Sequence, residues 1–333
     1  MQIGCVSHSA RIALGALTLV GTSACSVDSL APVTTQASAI SNLFQLVLWI
    51  SAAVFLLVCG LLLFVIVRYR ERDGDPEPTQ IHGHRRLELA WTAAPFLLLV
   101  ALFISTLQTM ASVDSSPPDA LRVSVIGHQW WWEYRYPDLG VVTANELHLP
   151  VGRPVRLDLT SADVIHSYWV PRFGWKRDVI PGKTNVLAIN VEQPGVYDGT
   201  CTEFCGLQHA WMRVRVVAES QAEFNTWVEA QRQPAAAPQN DRQRRGQQLF
   251  ASNTCVECHA IRGTNAVAQA GPDLTHVGSR TTLGSGVLDN GMGNLARFIK
   301  DAPSIKPGLL MPSFKTWSDD DVNAVAAYLD GLK

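Results

Sequence analysis

Two long apolar runs fill much of the first third of the chain. The run 43–67 contains no charged residue, and the run 91–110 is also uncharged. Each has roughly the 20 residues that a helix needs to cross the ~30 Å hydrocarbon core of a bilayer. The pattern therefore predicts two transmembrane helices between residues 40 and 112. The alternative is a pair of buried core helices in a soluble protein.

The arginines near these runs predict the orientation in the membrane. The segments 26–40 and 111–121 contain neither Lys nor Arg. The loop between the two runs, in contrast, contains Arg68, Arg70, Arg72, Arg85 and Arg86. Because basic loops remain in the cytoplasm, this asymmetry predicts a cytoplasmic connecting loop and two ends outside.

The first 25 residues are typical of an export signal. Arg11 supplies positive charge, the apolar stretch 12–20 is too short to span a bilayer, and small residues precede Cys25. A Cys at this place resembles the acylation site of bacterial lipoproteins, although Thr22 stands where that family usually has Leu. We predict a signal peptide over residues 1–25. Lipidation of Cys25, plain cleavage and an uncleaved tail remain open.

The pattern changes to a period of two after residue 120. Apolar and polar residues alternate over 155–159 and again over 212–216. Short strands of this kind, separated by Pro, Gly and Asn, predict an antiparallel sandwich or barrel over residues 120–220. Because this domain follows an outward-going helix, we expect it on the extracytoplasmic side.

The last third of the chain has the pattern of a separate helical domain. The segment 231–243 is polar and rich in Pro and Ala, which predicts a linker. Residues 244–333 follow as a predicted domain with helices near 244–252, 295–300 and 319–332. Ser318 and the acidic residues after it suit a helix start, because they interact with the free N–H groups there.

Composition narrows the possible functions. The 27 Lys and Arg against 29 Asp and Glu leave a net charge of −2, which gives no support for nucleic-acid binding. The 47% hydrophobic content excludes a wholly disordered chain. Among the seven Cys, two close pairs have His and Met nearby. This arrangement indicates cofactor sites rather than a disulfide framework.

The first pair lies in a compact set of soft ligands. Cys201 and Cys205 are followed at short steps by His209 and Met212. Thiolate, imidazole and thioether ligands favour copper over hard cations. A second imidazole must come from elsewhere, and His166 is well placed at the end of the preceding run of strands. The alternative is a structural disulfide between Cys201 and Cys205.

This segment resembles the dinuclear copper (CuA) loop of cytochrome c oxidase subunit II, a family whose pattern C-x-E-x-C-x3-H-x2-M it matches throughout. The resemblance implies two bridging thiolates, two terminal imidazoles and two weak ligands, the last a thioether and a backbone carbonyl. The corresponding residues here are Cys201, Cys205, His166, His209, Met212 and Glu203. The resemblance also implies a Mg²⁺ site at the boundary with subunit I, faced by the Glu203 carboxylate.

Two further segments carry the same resemblance. The stretch 88–95 is similar to the entry of the family's second membrane helix, which implies that Glu88 lies near a proton channel of subunit I. The alternative role for Glu88 is to cap the helix. Trp130, in the aromatic stretch 127–134, matches the tryptophan proposed as the family's electron entry point. The alternative role for Trp130 is a core or interface anchor.

The second cysteine pair forms a C-x-x-C-H motif, in which Cys255 and Cys258 would bind haem covalently and His259 would bind the iron. Segments 247–250, 271–274 and 306–312 resemble the class I cytochrome c family, which implies Met311 as the sixth ligand, with Met292 as the rival. Ligation by His and Met leaves no open position, which suits electron transfer. A zinc site at the two thiols and His259 is the alternative, although it has no evident fourth ligand.

Taken together, the resemblances imply a multidomain membrane protein. Its parts are a two-helix transmembrane hairpin, a cupredoxin-like Greek-key β-barrel and an all-α cytochrome c domain. The implied function is that of an electron-entry subunit of a haem–copper terminal oxidase in a bacterial cell membrane, with both soluble domains on the periplasmic side. Electrons from cytochrome c would pass through haem c and CuA to subunit I, where dioxygen is reduced to water and protons are pumped.

The expected partners are oxidase subunits I and III and a cytochrome c donor. Because the two spans contain no His, the dioxygen site is expected in another subunit. The alternatives are a copper-delivery protein and the donor subunit of a nitric oxide reductase or a relative of nitrous oxide reductase. A quinol oxidase subunit is disfavoured, because that branch loses the copper ligands that are all present here.

Overall fold

The computed structural model describes residues 30–71, 74, 77 and 79–333. The signal peptide predicted over 1–25, together with Cys25, lies outside the described residues. The described chain forms two long helices, a ten-stranded barrel and a helical C-terminal module that includes one short hairpin.

Two apolar helices form the membrane portion. α1 (Thr35–Arg68) has 34 residues and α2 (Arg85–Val113) has 29, so each exceeds the length that a bilayer requires. Their most apolar stretches contain no buried residue, and Trp49 and Val67 are 72% and 76% exposed. Such surfaces do not support the alternative of core helices in a soluble protein, because core helices bury their apolar side chains.

The outer ends of both helices contact the barrel. The Thr34 hydroxyl caps α1 by accepting a hydrogen bond from the Ala37 N–H at 3.0 Å, and it donates to the Phe173 carbonyl at 3.1 Å. Just after α2, Asp114 forms a 2.7 Å ion pair with Arg177 of the barrel. The barrel therefore lies at the helix ends that the arginine asymmetry predicts to be outside.

The barrel consists of two five-stranded sheets, with strand orders β3-β2-β1-β5-β8 and β4-β10-β9-β6-β7. The strands are β1 (Leu121–His128), β2 (Trp131–Tyr136), β3 (Val141–Ala144), β4 (Glu146–Pro150), β5 (Val155–Ser161), β6 (His166–Trp169), β7 (Arg177–Val179), β8 (Asn185–Ile189), β9 (Gly195–Cys201) and β10 (Arg213–Glu219). Most neighbours are antiparallel, but β1 with β5 and β4 with β10 are parallel. The expectation of wholly antiparallel sheets is wrong for these pairs, because the chain changes sheet at β4 and returns at β5.

The alternating pattern predicted for the barrel is confirmed. Every second residue of β5 is buried, and Leu157 and Leu159 are completely enclosed. The antiparallel pairing of β6 with β9 places Tyr168 opposite Cys201. His166, two residues earlier on β6, is thereby held beside the loop that follows Cys201.

Four further helices follow the barrel: α3 (Gln221–Arg232), α4 (Asp241–Ala251), α5 (Met292–Ile305) and α6 (Asp319–Asp330). The last three correspond to the helices predicted near 244–252, 295–300 and 319–332. Ser318 caps α6 as expected, since its hydroxyl accepts a hydrogen bond from the Asp321 N–H at 3.1 Å. A short hairpin, β11 (Thr282–Leu283) and β12 (Leu288–Asp289), precedes α5.

The connection between barrel and module differs from the linker predicted over 231–243. Because α3 continues to Arg232 and α4 begins at Asp241, only residues 233–240 connect the two helices. These residues are tied to the module: the Ala235 N–H donates to the Arg262 carbonyl at 3.1 Å, and the ring of His276 bonds to the Gln233 carbonyl at 3.1 Å. The connecting segment is thus held in place along the module.

The module is held together by a close crossing of α4 and α6. A Cβ on Gly246 of α4 would lie 2.0 Å from the backbone oxygen of Ala324 in α6. Any side chain at this position would push the two helices apart, because the atom in the way belongs to the backbone.

We predict that Gly246→Ala lowers the free energy of unfolding by about 1–3 kcal/mol, since overpacking forces the backbone to shift. Gly293→Ala in α5 is the matched control, because no atom lies within 4 Å of its added Cβ. The control should be neutral or stabilise by about 0.4–1 kcal/mol. Thermal unfolding of the purified chain, followed by circular dichroism, makes the comparison. Equal stability of the two variants would contradict the prediction.

Candidate metal centre

Soft ligand atoms converge where β9 ends, at one end of the barrel. The Sγ atom of Cys201 lies 3.9 Å from Cys205 Sγ and 4.0 Å from His166 Nδ1. Cys205 Sγ lies 3.7 Å from His209 Nδ1 and 3.9 Å from Met212 Sδ. Within the part of the chain that the structure describes, His166, Cys201 and Cys205 are the only group of three or more His, Cys, Asp or Glu with ligand atoms within 4.8 Å of one another.

The backbone of the loop completes this set. The Glu203 carbonyl oxygen lies 3.3 Å from Cys201 Sγ, while the Glu203 side chain is exposed. The loop turns at Gly206, whose φ is 114° and where a Cβ would lie 3.0 Å from the ring of Trp130. The structure therefore brings together the five candidate ligands of the sequence motif and His166, which lies outside the motif.

The two thiols lie within hydrogen-bond distance of each other, so the ionisation of one affects the other. Both are free cysteines, so the disulfide alternative is not formed. A hydrogen bond from the Cys205 thiol is the main reason that the pKa of Cys201 is lowered, and His166 adds to this effect. The same hydrogen bond, together with burial, raises the pKa of Cys205. Two adjacent buried thiolates repel each other, so both ionise only when a cation joins them.

Asp163 orients the buried imidazole of His166. The Nε2–H of His166 donates to Asp163 Oδ1 at 2.8 Å, which leaves Nδ1 directed at the thiols. Burial opposes protonation of His166, but the hydrogen bonds to Asp163 and Cys201 outweigh it and raise the pKa of the ring. A carboxylate on the far nitrogen is typical of metal-binding histidines. Sequence reasoning missed Asp163, although it precedes His166 by only three residues.

The chemistry of these donors fits copper. Two sulfurs, two imidazole nitrogens, a thioether and a carbonyl form a soft set, whereas Mg²⁺ and Ca²⁺ require mainly carboxylate, carbonyl and water oxygens. The structure thus agrees with the copper chemistry that the residue types predict.

Trp130 packs directly on the loop of the cluster. Its indole Nε1–H donates to the Cys205 carbonyl at 2.9 Å, and the side-chain amide of Gln129 donates to the same oxygen at 2.7 Å. The side chain of Trp130 is 7% exposed. An aromatic ring therefore lies in hydrogen-bond contact with the backbone of a candidate ligand.

The C-x-x-C-H motif forms a tight turn at the start of the module. Cys255 and Cys258 are free and half-buried, around the 3-10 helix Thr254–Glu257. The Nδ1–H of His259 donates to the Pro272 carbonyl at 2.8 Å, which leaves Nε2 available to a ligand. Burial lowers the pKa of His259, which favours the neutral ring that binds a metal. Met311 is half-buried on the loop between α5 and α6.

Glu88 lies in the first turn of α2, away from the cluster. Its Oε1 atom accepts a hydrogen bond from the His84 N–H at 3.1 Å, and the side chain is exposed. This contact is the capping role that the sequence left as the alternative. The role of Glu88 at a proton channel stays a prediction.

The module contacts the loop that carries the cluster. The Gln208 side chain, adjacent to His209, donates to the Pro307 carbonyl at 2.6 Å. Gly308, which follows Pro307, lies against Leu207 of the barrel. A Cβ added to Gly308 would lie 2.7 Å from a methyl carbon of Leu207. Residues 307–308 lead directly to Met311. No sequence pattern pointed to Gln208, because its partner lies 99 residues away.

Comparisons with known proteins cover most of the chain. The family "Cytochrome C oxidase subunit II, transmembrane domain" matches residues 29–109, and the corresponding periplasmic domain matches residues 140–220. The family "Cytochrome c" matches residues 243–333. These matches confirm the fold class predicted for all three parts.

Full-length relatives have the same description. Cytochrome c oxidase subunit 2 of Alkalihalophilus pseudofirmus is 35% identical over 314 residues, which is 92% of this chain and 91% of the relative. The Bacillus subtilis protein of the same description is also 35% identical, over 81% of this chain and 82% of the relative. Among solved structures, the periplasmic domain of cytochrome oxidase subunit II of Bradyrhizobium japonicum matches with a TM-score of 0.34 at 33% identity, covering 35% of this chain and 96% of that one.

We predict that Asp163→Asn lowers copper affinity about 10- to 100-fold, because the His166 ring loses the charge that orients it. Asp158→Asn is the matched control: Asp158 lies on β5 and pairs with Arg122 and Arg156. Competition with a copper chelator measures affinity, and unfolding of the metal-free proteins shows whether the fold is kept. Equal copper affinity of the two variants would rule out a positioning role for Asp163.

Proposed function

This chain belongs to the cytochrome c oxidase subunit II family, and from that premise we propose that it relays electrons within a terminal oxidase. The C-terminal module receives electrons from a cytochrome c donor, and the barrel passes them to subunit I. There dioxygen is reduced to water and protons are pumped. The protein is an oxidase subunit with two membrane spans and a periplasmic domain.

One observation carries the proposal: the loop with the candidate copper ligands is in direct contact with the loop that leads to Met311. The hydrogen bond from Gln208 to Pro307 links these two loops. Gln208 is next to His209, and Pro307 is four residues before Met311. The contact supports electron passage between the two cofactors without a separate encounter.

The chemistry of the side chains indicates which residues would hold each cofactor. In the barrel, copper would be held by Cys201, Cys205, His166, His209, Met212 and the Glu203 carbonyl. In the module, haem would be held by Cys255, Cys258, His259 and Met311. When bound, both groups supply one-electron oxidation and reduction. Asp163 keeps His166 Nδ1 directed at the thiols, and the Pro272 carbonyl holds the His259 ring so that its Nε2 is available to a ligand.

The remaining assignments concern the partners. Subunits I and III are proposed to contact the exposed apolar faces of α1 and α2. The exposed carboxylate of Glu203 is proposed to face Mg²⁺ at the boundary with subunit I. Glu88 is proposed to lie at the entrance of a proton channel. Trp130, packed on the Cys205 carbonyl, is proposed as the group through which electrons enter the copper site.

Metal and haem analysis of the purified oxidase tests the proposal. We expect two copper ions and one covalent haem in this chain. Cys205→Ser should abolish the copper pair but retain the haem, because one of the two thiolate ligands is lost. Cys59→Ser is the matched control, since Cys59 lies in the membrane helix α1. A single loosely held copper ion in the unaltered protein would favour copper delivery instead.

A second prediction separates the module from the barrel. A double variant, Cys255→Ala with Cys258→Ala, should lose the covalent haem and keep the copper spectrum. Its oxygen consumption with reduced cytochrome c should fall, because electrons lose their entrance. Full turnover at low donor concentration would contradict the role of the module. If the unaltered complex consumed nitric oxide in place of oxygen, the chain would be the donor subunit of a nitric oxide reductase instead.

A further inference from the structure

The contact between barrel and module contains two buried charged side chains, one from each side. Glu146 belongs to the barrel and is 3% exposed, and Lys306 belongs to the module and is 2% exposed. Neither forms an ion pair with any other described residue. Each instead forms hydrogen bonds with uncharged polar groups. Glu146 bonds to groups of the module, and Lys306 bonds to one group of the barrel and one of the module.

Glu146, at the start of β4, projects into a pocket of hydrogen-bond donors on the module. Its Oε1 atom accepts from the Thr281 N–H at 2.8 Å and the Thr282 N–H at 2.9 Å. The hydroxyl groups of the same two threonines donate to this oxygen at 2.6 and 3.1 Å. The carboxylate is thus held by four donors at the beginning of the β11–β12 hairpin.

Lys306, which follows α5, reaches in the opposite direction. Its ammonium group donates to the Trp130 carbonyl of the barrel at 3.1 Å and to the Gly284 carbonyl of the module at 2.8 Å. Gly284 lies in the same hairpin that receives Glu146. Lys306 therefore joins the hairpin to the backbone of the residue that covers the copper loop.

Buried charges held by hydrogen bonds define one geometry. An isolated charge is costly to bury, so displacement of the module by even a few ångströms leaves a carboxylate or an ammonium group without its partners. Nonpolar contacts between the parts would tolerate such shifts, because hydrophobic attraction has no direction. The interface thus combines two contacts that specify orientation, and both involve the same hairpin.

We propose that Glu146 and Lys306 form a reciprocal clamp that holds the C-terminal module over Trp130 in a single orientation competent for electron transfer. Both are positioning residues, since neither belongs to the ligand sets of the two cofactors. The inference rests on the proposed function for its electron-transfer consequence. Its structural part, a fixed docked state, stands on the interface alone.

Hydrogen exchange in the complete oxidase tests the docked state directly. Glu146→Gln and Lys306→Met keep the approximate size of each side chain and remove its charge. Each should speed exchange of the Thr281 and Thr282 amides about 10-fold or more, because charged hydrogen bonds that hold the hairpin are lost. The matched controls are Glu219→Gln on β10 and Lys300→Met on α5, whose hydrogen bonds lie within the barrel and within the module.

Electron transfer is measured on the same samples. After a single electron is delivered to the haem, its arrival at copper should slow about 10-fold or more in both clamp variants and depend on solvent viscosity. Copper and haem contents should equal those of the unaltered protein, which shows that both parts remain folded. The control variants should transfer electrons at the unaltered rate.

The possible outcomes distinguish failure of the proposed Glu146–Lys306 clamp from failure of the proposed electron relay. Unchanged exchange and unchanged transfer in both clamp variants would overturn the clamp and leave the relay intact. Absence of any transfer from haem to copper in the unaltered protein would overturn the relay, whatever the exchange data show. Faster exchange with unchanged transfer would overturn the proposed link between orientation and electron delivery.

Discussion

Two thiols less than 4 Å apart in the interior of a protein are the constraint on which this structure depends. Two buried thiolates at this separation repel each other, so both sulfurs ionise together only when a cation binds them. The barrel meets this requirement by bringing β6 and β9 together, so that an imidazole from one strand faces sulfur from the other. The loop after β9 then supplies the remaining donors within a few residues.

Because most of the donors lie in one short loop, part of the site could be predicted from the sequence. The ligands from Cys201 to Met212 lie in one loop, so their spacing carries the chemistry before any fold is known. His166 was expected because it follows the run of strands that precedes the loop, and it lies at the start of β6. Asp163 lies close in sequence to His166, but a carboxylate three residues away is too common to signal an orienting role.

Contacts between the barrel and the module could not be predicted in this way. Lys306 and Trp130 are 176 residues apart, and Glu146 lies 135 residues from Thr281. No periodicity or motif connects positions at such separations. The fold followed from patterns more fully: alternation gave the strands and apolar length gave the spans. The sequence pattern did not predict the two parallel strand pairs, because the order of strands in a sheet is not encoded in alternation. It also did not predict α3, which occupies the start of the expected linker.

The connection between α3 and α4 sets how far the two parts can separate. From Arg232 to Asp241 there are nine steps along the backbone, and a fully extended chain covers about 3.3–3.6 Å per step. A released module therefore remains within roughly 30 Å of its docking face. Over that range the effective concentration of the module at its docking face is of the order of millimolar. The short connection therefore keeps the chain's own module beside the barrel even when the two parts are not in contact.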